Sequence, residues 1–239
     1  MQKSMLNYVT LADGISLLNV GFGFLSIFIL CSSLFFSGQQ QIHMAFSFIL
    51  LALLADGLDG VIARRTTTGE LGEYIESMAD MVSMAIAPTI FIYASYKQVI
   101  HQEPFFQLFF LIAFFLYLFL GVIRLASFHQ MKNDAFFIGL PASAATMILL
   151  ILSYLKIPAV FMIAGIIMIS LLLISSIPFP KTNKHISATA TLLIIIVILF
   201  GNSVQSLFLY LLLICVLFYA IGGPFFIIYR KKTRKTSAK

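Results

Sequence analysis

FSFILLALLADGLDGVIARRTTTGELGEYIESMAD, residues 46–80, carries six of the nine acidic residues of the chain in an otherwise apolar setting. Asp56 and Asp59 interrupt the apolar run Phe46–Ala63, and Glu76 and Asp80 interrupt the run that follows. An ionised residue near the centre of a membrane helix costs about 2.5–3.5 kcal/mol on insertion scales. Four of them facing lipid would cost on the order of 10 kcal/mol. They must therefore line a polar gap, and something must compensate them. At helical spacing, Asp56 and Asp59 share one face, about 60° apart, and Glu76 and Asp80 share another, about 40° apart. The short Arg65–Leu71 connection makes the two helices antiparallel neighbours, able to point all four carboxylates into one gap.

Outside this segment the chain reads as membrane throughout. Of its 239 residues, 61% are hydrophobic and 10% charged, and the mean hydropathy is +1.04. A soluble domain is about half apolar and about a quarter charged, so the solvent for these side chains is lipid. Apolar runs at about 15–36, 44–64, 72–96, 105–127, 137–155, 159–179, 186–201 and 205–229 predict eight spans in a single domain, 1–239. Fold class is therefore all-α, a polytopic transmembrane helical bundle. The breaks are turn-forming or polar clusters: Ser37–Gln41, Thr66–Gly69, Lys97–Pro104, His129–Asp134, Lys156–Pro158, Pro178–Lys181 and Gly201-Asn202. Met1–Ala12 reads as an interfacial lead-in, and the first run is too long for a signal-peptide core.

The net charge of +6 does not point to nucleic acid. Six of the fifteen cations (Arg230, Lys231, Lys232, Arg234, Lys235, Lys239) fall in the last ten residues, directly after an apolar run. That is the pattern of a cytoplasmic flank in contact with anionic membrane lipid. Cys31 and Cys215 lie in apolar runs without ligand spacing, and the four histidines are scattered over different loops. The abundant phenylalanine is lipid-facing bulk.

Four hard oxygen donors in a confined gap suit Mg²⁺ or Mn²⁺, and their number allows two ions. Acids within membrane helices also serve as polar glue or as the ion path of a transporter. Two acids would leave those readings level with a metal site.

Asp56-Gly57-Leu58-Asp59-Gly60-Val61-Ile62-Ala63-Arg64, followed by Gly72, Glu76 and Asp80, resembles the signature of the CDP-alcohol phosphotransferase family, Asp-x2-Asp-Gly-x2-Ala-Arg-x8-Gly-x3-Asp-x3-Asp. Seven of its eight fixed positions match. The gap from Arg64 to Gly72 is one residue short, a deletion that falls in a loop. Glu76 stands where the third aspartate belongs and extends the carboxylate by one methylene. Ala79-Asp80-Met81-Val82-Ser83 through Ala87-Pro88 is similar to a stretch of the phosphatidylserine and archaetidylserine synthase branch, as are Ser16–Asn19 with Gly23, Gly121–Ala126, Phe137-Ile138-Gly139-Leu140-Pro141 and Ile177–Pro180. The resemblance covers a six-span core, 1–184, and leaves 185–239 as two added spans with a basic tail.

The resemblance implies the CDP-alcohol phosphotransferase fold, usually a homodimer, and transfer of a phosphatidyl-type group from a CDP-lipid to L-serine with release of CMP. It implies metal ions on Asp56, Asp59, Glu76 and Asp80, with Asp80 also taking the proton of the serine hydroxyl. The CDP group would lie along Asp56, Gly60, Ala63 and Gly72. Gly60 and Ala63 leave room for a nucleotide, and Arg64 can fork onto phosphate oxygens. Arg124, at the cytoplasmic end of the fourth span, is the candidate for the serine carboxylate; on position alone, snorkelling to the interface explains it equally well. Two alternatives stay open. One is the same chemistry with glycerol 3-phosphate or inositol phosphate as acceptor, which would call for more cations near the gap. The other is a divalent-cation carrier.

Thirteen cations fall on the side of the even-numbered connections and the termini, and only Lys97 and Lys156 fall on the other. The positive-inside rule then places both termini and the acidic gap in the cytoplasm, with the protein in the cell membrane. Reporter fusions after Lys97 and Lys156 should read external, and fusions after Lys132 and Lys184 internal. A cytoplasmic reading at Lys156 would break this topology.

Overall fold

The computed structural model describes residues 9–32, 36–63, 71–128, 136–181, 184–200 and 205–236. Helix α1 (Leu11–Cys31) begins in a capping box. Asp13 accepts from the Thr10 backbone N–H at 2.6 Å and from the Thr10 hydroxyl at 2.9 Å. This box starts the helix inside the segment expected to be a lead-in, because it satisfies backbone donors at the helix start. Helix α2 (Gly38–Ala63) likewise begins within the polar Ser37–Gln41 cluster instead of at residue 44. The reason is Gln41, whose Nε2 donates to the carbonyls of Ile29 at 2.7 Å and Ser32 at 3.0 Å. A side chain of α2 thus closes the end of α1 and sets an antiparallel hairpin, along which Phe22 meets Phe48.

The third rod is continuous from Gly72 to Gln102. It comprises α3 (Gly72–Asp80), a π-helical segment (Met81–Ile86) and α4 (Ala87–Gln102). Lys97 is therefore helical, not part of a loop, and the break is reduced to Glu103, extended at φ −125° before Pro104 opens α5 (Pro104–Phe128). Phe110 packs on Tyr96 and Gly121 approaches Ala85, a steady antiparallel register.

The expected fifth span, 137–155, divides into two parts. Residues 136–138 form β1, antiparallel to β2 (Pro178–Pro180), and α6 (Ala142–Tyr154) starts only after Pro141. Thirteen helical residues rise about 20 Å, short of a hydrocarbon core of about 30 Å. The extended segment before α6 makes up length at about 3.3 Å per residue, and such backbone survives at membrane depth only when enclosed by protein. It is enclosed: Gly139 N–H donates to Ile177 O at 2.9 Å and Leu140 N–H to Leu172 O at 3.0 Å. Helix α7 (Ala159–Leu173) stops six residues before the expected end because the chain turns into β2. Two further helices, α8 (Lys184–Phe200) and α9 (Gln205–Thr236), complete the described chain.

Of these rods, five are long and apolar enough to cross a membrane, whereas α6, α7 and α8 are shorter apolar helices. The chain is thus a multi-pass helical membrane protein. Its short helix α6 is buried from Ala145 to Ile151 and contributes to both apolar cores. One core joins α2, α4, α6, α8 and α9; the other joins α4, α5, α6 and α7 with Leu140 and Phe179. Leu18, Phe24, Phe119, Phe161, Leu199 and Phe218 are exposed, as an outer coat against lipid requires.

Gly139 sits at φ +76°, and a Cβ there would run into the carbonyl oxygen of Leu173. Gly139→Ala should therefore lower the thermal midpoint in detergent, since left-handed geometry alone costs about 1–2 kcal/mol in a residue with a side chain. Gly165→Ala, where a Cβ meets nothing within 4 Å, should leave it unchanged. Equal midpoints would remove the ribbon from any structural role.

Candidate functional site

Helix α1 presents a buried polar stripe, Asp13, Ser16, Asn19 and Ser26, with Gly23 on the same side. The stripe lies along α3 and the π segment, and α1 packs along α2 as well. Three close approaches fix its register. A Cβ at Gly72 would lie 3.1 Å from Asp13 Oδ1, Asn19 Nδ2 donates to Asp80 Oδ1 at 3.1 Å, and a Cβ at Gly23 would lie 3.1 Å from Ser83 Cα. Helix α1 and the third rod are thus parallel, and only glycine at position 23 lets their backbones meet at the π segment.

These registers place the acids. Asp56 comes level with Gly14, Glu76 with Ser16 and Asp80 with Asn19, a spread of about 8 Å along the bundle. Asp80 is buried, Asp56 and Glu76 are half-buried, and Glu73 is exposed. The expected apposition of α2 and α3 falls on the last turns of α2, whose side chains lie outside the described residues. Helix α1 lies beside both, while α2 packs against the π segment and α4. Among the described residues no three acidic, histidine or cysteine side chains converge closely enough to hold a metal ion. Asp59, Gly60 and Ala63 belong to the last turns of α2, but their side chains lie outside the described residues, and Arg64 lies outside them entirely.

The donor set nevertheless fits a hard cation. It consists of carboxylates joined by the amide of Asn19, whose Oδ1 is fully buried and has no hydrogen-bond partner among the described residues. An acceptor without a donor beside a buried carboxylate is the environment a divalent ion or a substrate ammonium would complete. Asn19 and Asp13 were missed as site residues by the focus on the acidic segment. The signal was present, however, as polar or small residues at three- and four-residue intervals in a long apolar run.

Arg124 is buried and does not snorkel. Its Nε donates to the Leu140 carbonyl at 3.4 Å. The Tyr219 hydroxyl donates to Pro180 O at 2.9 Å. One turn past Gly121, which faces Ala85, Arg124 comes level with Val82, close along the bundle to Asp80. The Phe137–Pro141 segment thus supplies the carbonyl that aims this arginine.

Residues 9–176 match the family model described as CDP-alcohol phosphatidyltransferase. Among relatives, a CDP-diacylglycerol–serine O-phosphatidyltransferase of Methanocaldococcus jannaschii is 30% identical over 186 residues, covering 77% of this chain and 80% of the relative. An archaetidylserine synthase of Methanothermobacter thermautotrophicus is 30% identical over 196 residues, covering 79% and 77%. A CDP-diacylglycerol–serine O-phosphatidyltransferase of Bacillus subtilis is 32% identical over 148 residues, covering 61% and 80%.

Proposed function

The chain belongs to the CDP-alcohol phosphatidyltransferase family, and from that premise we propose that it transfers the phosphatidyl or archaetidyl group of a CDP-activated lipid to L-serine. CMP is the second product. The observation that carries the reading is the buried Asp80 carboxylate held by Asn19 at the acidic end of the bundle, inside the segment that matches the family. Serine synthases of this kind among the relatives support the choice of acceptor.

Asp80 takes the proton of the serine hydroxyl as that oxygen bonds to the β-phosphorus. The bond from this phosphorus to the bridging oxygen breaks, and CMP leaves with the electron pair. Asn19 holds the carboxylate at Oδ1 and so fixes its orientation. Asp56, Asp59, Glu76 and Asp80 would hold the divalent cations with which the family works, Mg²⁺ or Mn²⁺ here. Bound there, such ions supply positive charge against the pyrophosphate and the CMP leaving group. Gly60, Ala63, Arg64 and Gly72 line the CDP side, and Arg124 receives the serine carboxylate. The lipid chains remain in the bilayer, and the reaction takes place at the cytoplasmic face of the cell membrane, in a homodimer.

Purified protein with CDP-lipid should release CMP on addition of L-serine, and a chelator should abolish the release. Release with glycerol 3-phosphate or inositol phosphate and none with serine would assign another acceptor, while no release with any of them would favour the cation carrier. Glu76→Gln should lose at least about a hundredfold in rate, as Asp59→Asn should. Glu73→Gln, at an exposed position, should be mild. The reverse order would make Glu73 the ligand.

A further inference from the structure

Immediately after Asp80 the third rod changes from α to π geometry over Met81–Ile86. Its cause is legible in the residues. In an α-helix the carbonyl of Met84 would accept from the residue four positions on, which is Pro88. Proline has no N–H, and its ring crowds that same carbonyl. The helix widens instead, and the Ala87 N–H reaches back five residues to Val82 O. A carbonyl stripped of its helix donor inside a membrane bundle costs several kcal/mol unless it finds another.

Two hydroxyls from two other helices meet this need. Tyr117 of α5 donates to Met84 O at 2.7 Å, and Thr146 of α6 donates to the same oxygen at 2.7 Å. Both side chains and the Met84 residue are buried. One carbonyl thus ties α5 and α6 to the third rod a single turn beyond Asp80. The π segment also rotates what precedes it. Each residue of an α-helix turns by about 100°, so relaxing the widened turn would swing Glu76 and Asp80 around the axis relative to α4, which is fixed in both apolar cores. The contact of Ser83 with Gly23 and the Asn19–Asp80 hydrogen bond both depend on that rotation.

We propose that Tyr117 and Thr146 are positioning residues for the transfer reaction: by sharing the Met84 carbonyl that Pro88 deprives of its α-helical donor, they hold the π register that aims Asp80 at the acceptor hydroxyl. They touch no reacting atom themselves. The proposal rests on the role of Asp80 given above.

Single-turnover CMP release separates aim from assembly. Protein preloaded with CDP-lipid is mixed with excess L-serine; the amplitude counts folded enzyme and the rate constant reads the chemical step. Tyr117→Phe with Thr146→Val should slow the rate constant at least about tenfold while keeping the amplitude, because misplacing a catalytic group by about 1 Å can cost a hundredfold. Thr146→Ser retains a hydroxyl and should restore a near wild-type rate. Ser170→Ala removes an equally buried hydroxyl that donates to Ile166 O in α7 and should change nothing. An unchanged rate constant in the double variant, or a loss confined to amplitude, overturns the proposal. Should the double variant fail to assemble, the singles decide: a slower rate at full amplitude supports the proposal, and wild-type rates in both overturn it. Wild-type protein that releases no CMP with serine overturns the proposed function and this inference together, whereas a wild-type rate in the double variant overturns the inference alone.

Discussion

Asp80 is buried in the bundle, and a carboxyl group in that position must be met by donors or cations. The first donor is the amide of Asn19, on a helix 61 residues earlier in the chain. That hydrogen bond, with the approaches of Gly72 to Asp13 and Gly23 to Ser83, sets α1 parallel to the third rod at close range. Close range in turn requires Gly23 opposite Ser83 and Gly72 opposite Asp13. Helix α2 is then tied to α1 through Gln41, which brings Asp56 to the same end of the bundle.

Elsewhere the same demand appears at the backbone. With no water at membrane depth, carbonyls released from a regular ladder need side-chain donors. Gln41 serves the end of α1, Tyr117 and Thr146 serve Met84, Arg124 serves Leu140, Tyr96 serves Ile157 at 2.6 Å, and Tyr219 serves Pro180. In each case a long or hydroxylated side chain from one element closes an irregularity in another. Nearly every departure from a straight helix is therefore also a tie between elements, and in the third rod the tie lies one turn from the acid.

How much of this was legible follows from the same physics. Apolar length announced the bundle, and the spaced acids announced the site, because both are strong signals in a chain with so few charges. The register was not legible. Gln39–Gln41 and Lys97 read as loop because polar residues usually end a span, whereas here they lie within helix ends. The Phe137–Pro141 segment read as span because it is apolar. Its extended form depends on pairing with β2, about forty residues later, which no local pattern encodes. Asn19 and Asp13 went unassigned for a similar reason: their partners, Asp80 and Gly72, lie on another helix. The open carbonyl at Met84 could have been read from Pro88, four residues on, but not the π turn that answers it, since Pro224 lies inside α9 without one.

The segment that matches the family ends at residue 176, yet the surroundings of Arg124 do not. Its Nε donates to Leu140 O, just past β1, and β1 pairs with the β2 that α9 packs against. Tyr219 of α9 donates a hydrogen bond to Pro180 O of β2. Just before the Pro224 of α9, Gly223 brings that helix against β2; a Cβ there would lie 2.7 Å from Pro180 Cδ. Helix α9 can therefore reach the ribbon only because it is glycine there, and the ribbon in turn carries the Gly139 turn that presents Leu140. A buried arginine whose orientation depends on a strand, a turn and a helix from three distant parts of the chain cannot be read as a local feature of α5. Its placement belongs to the whole bundle, and α9 belongs to the wall beside it.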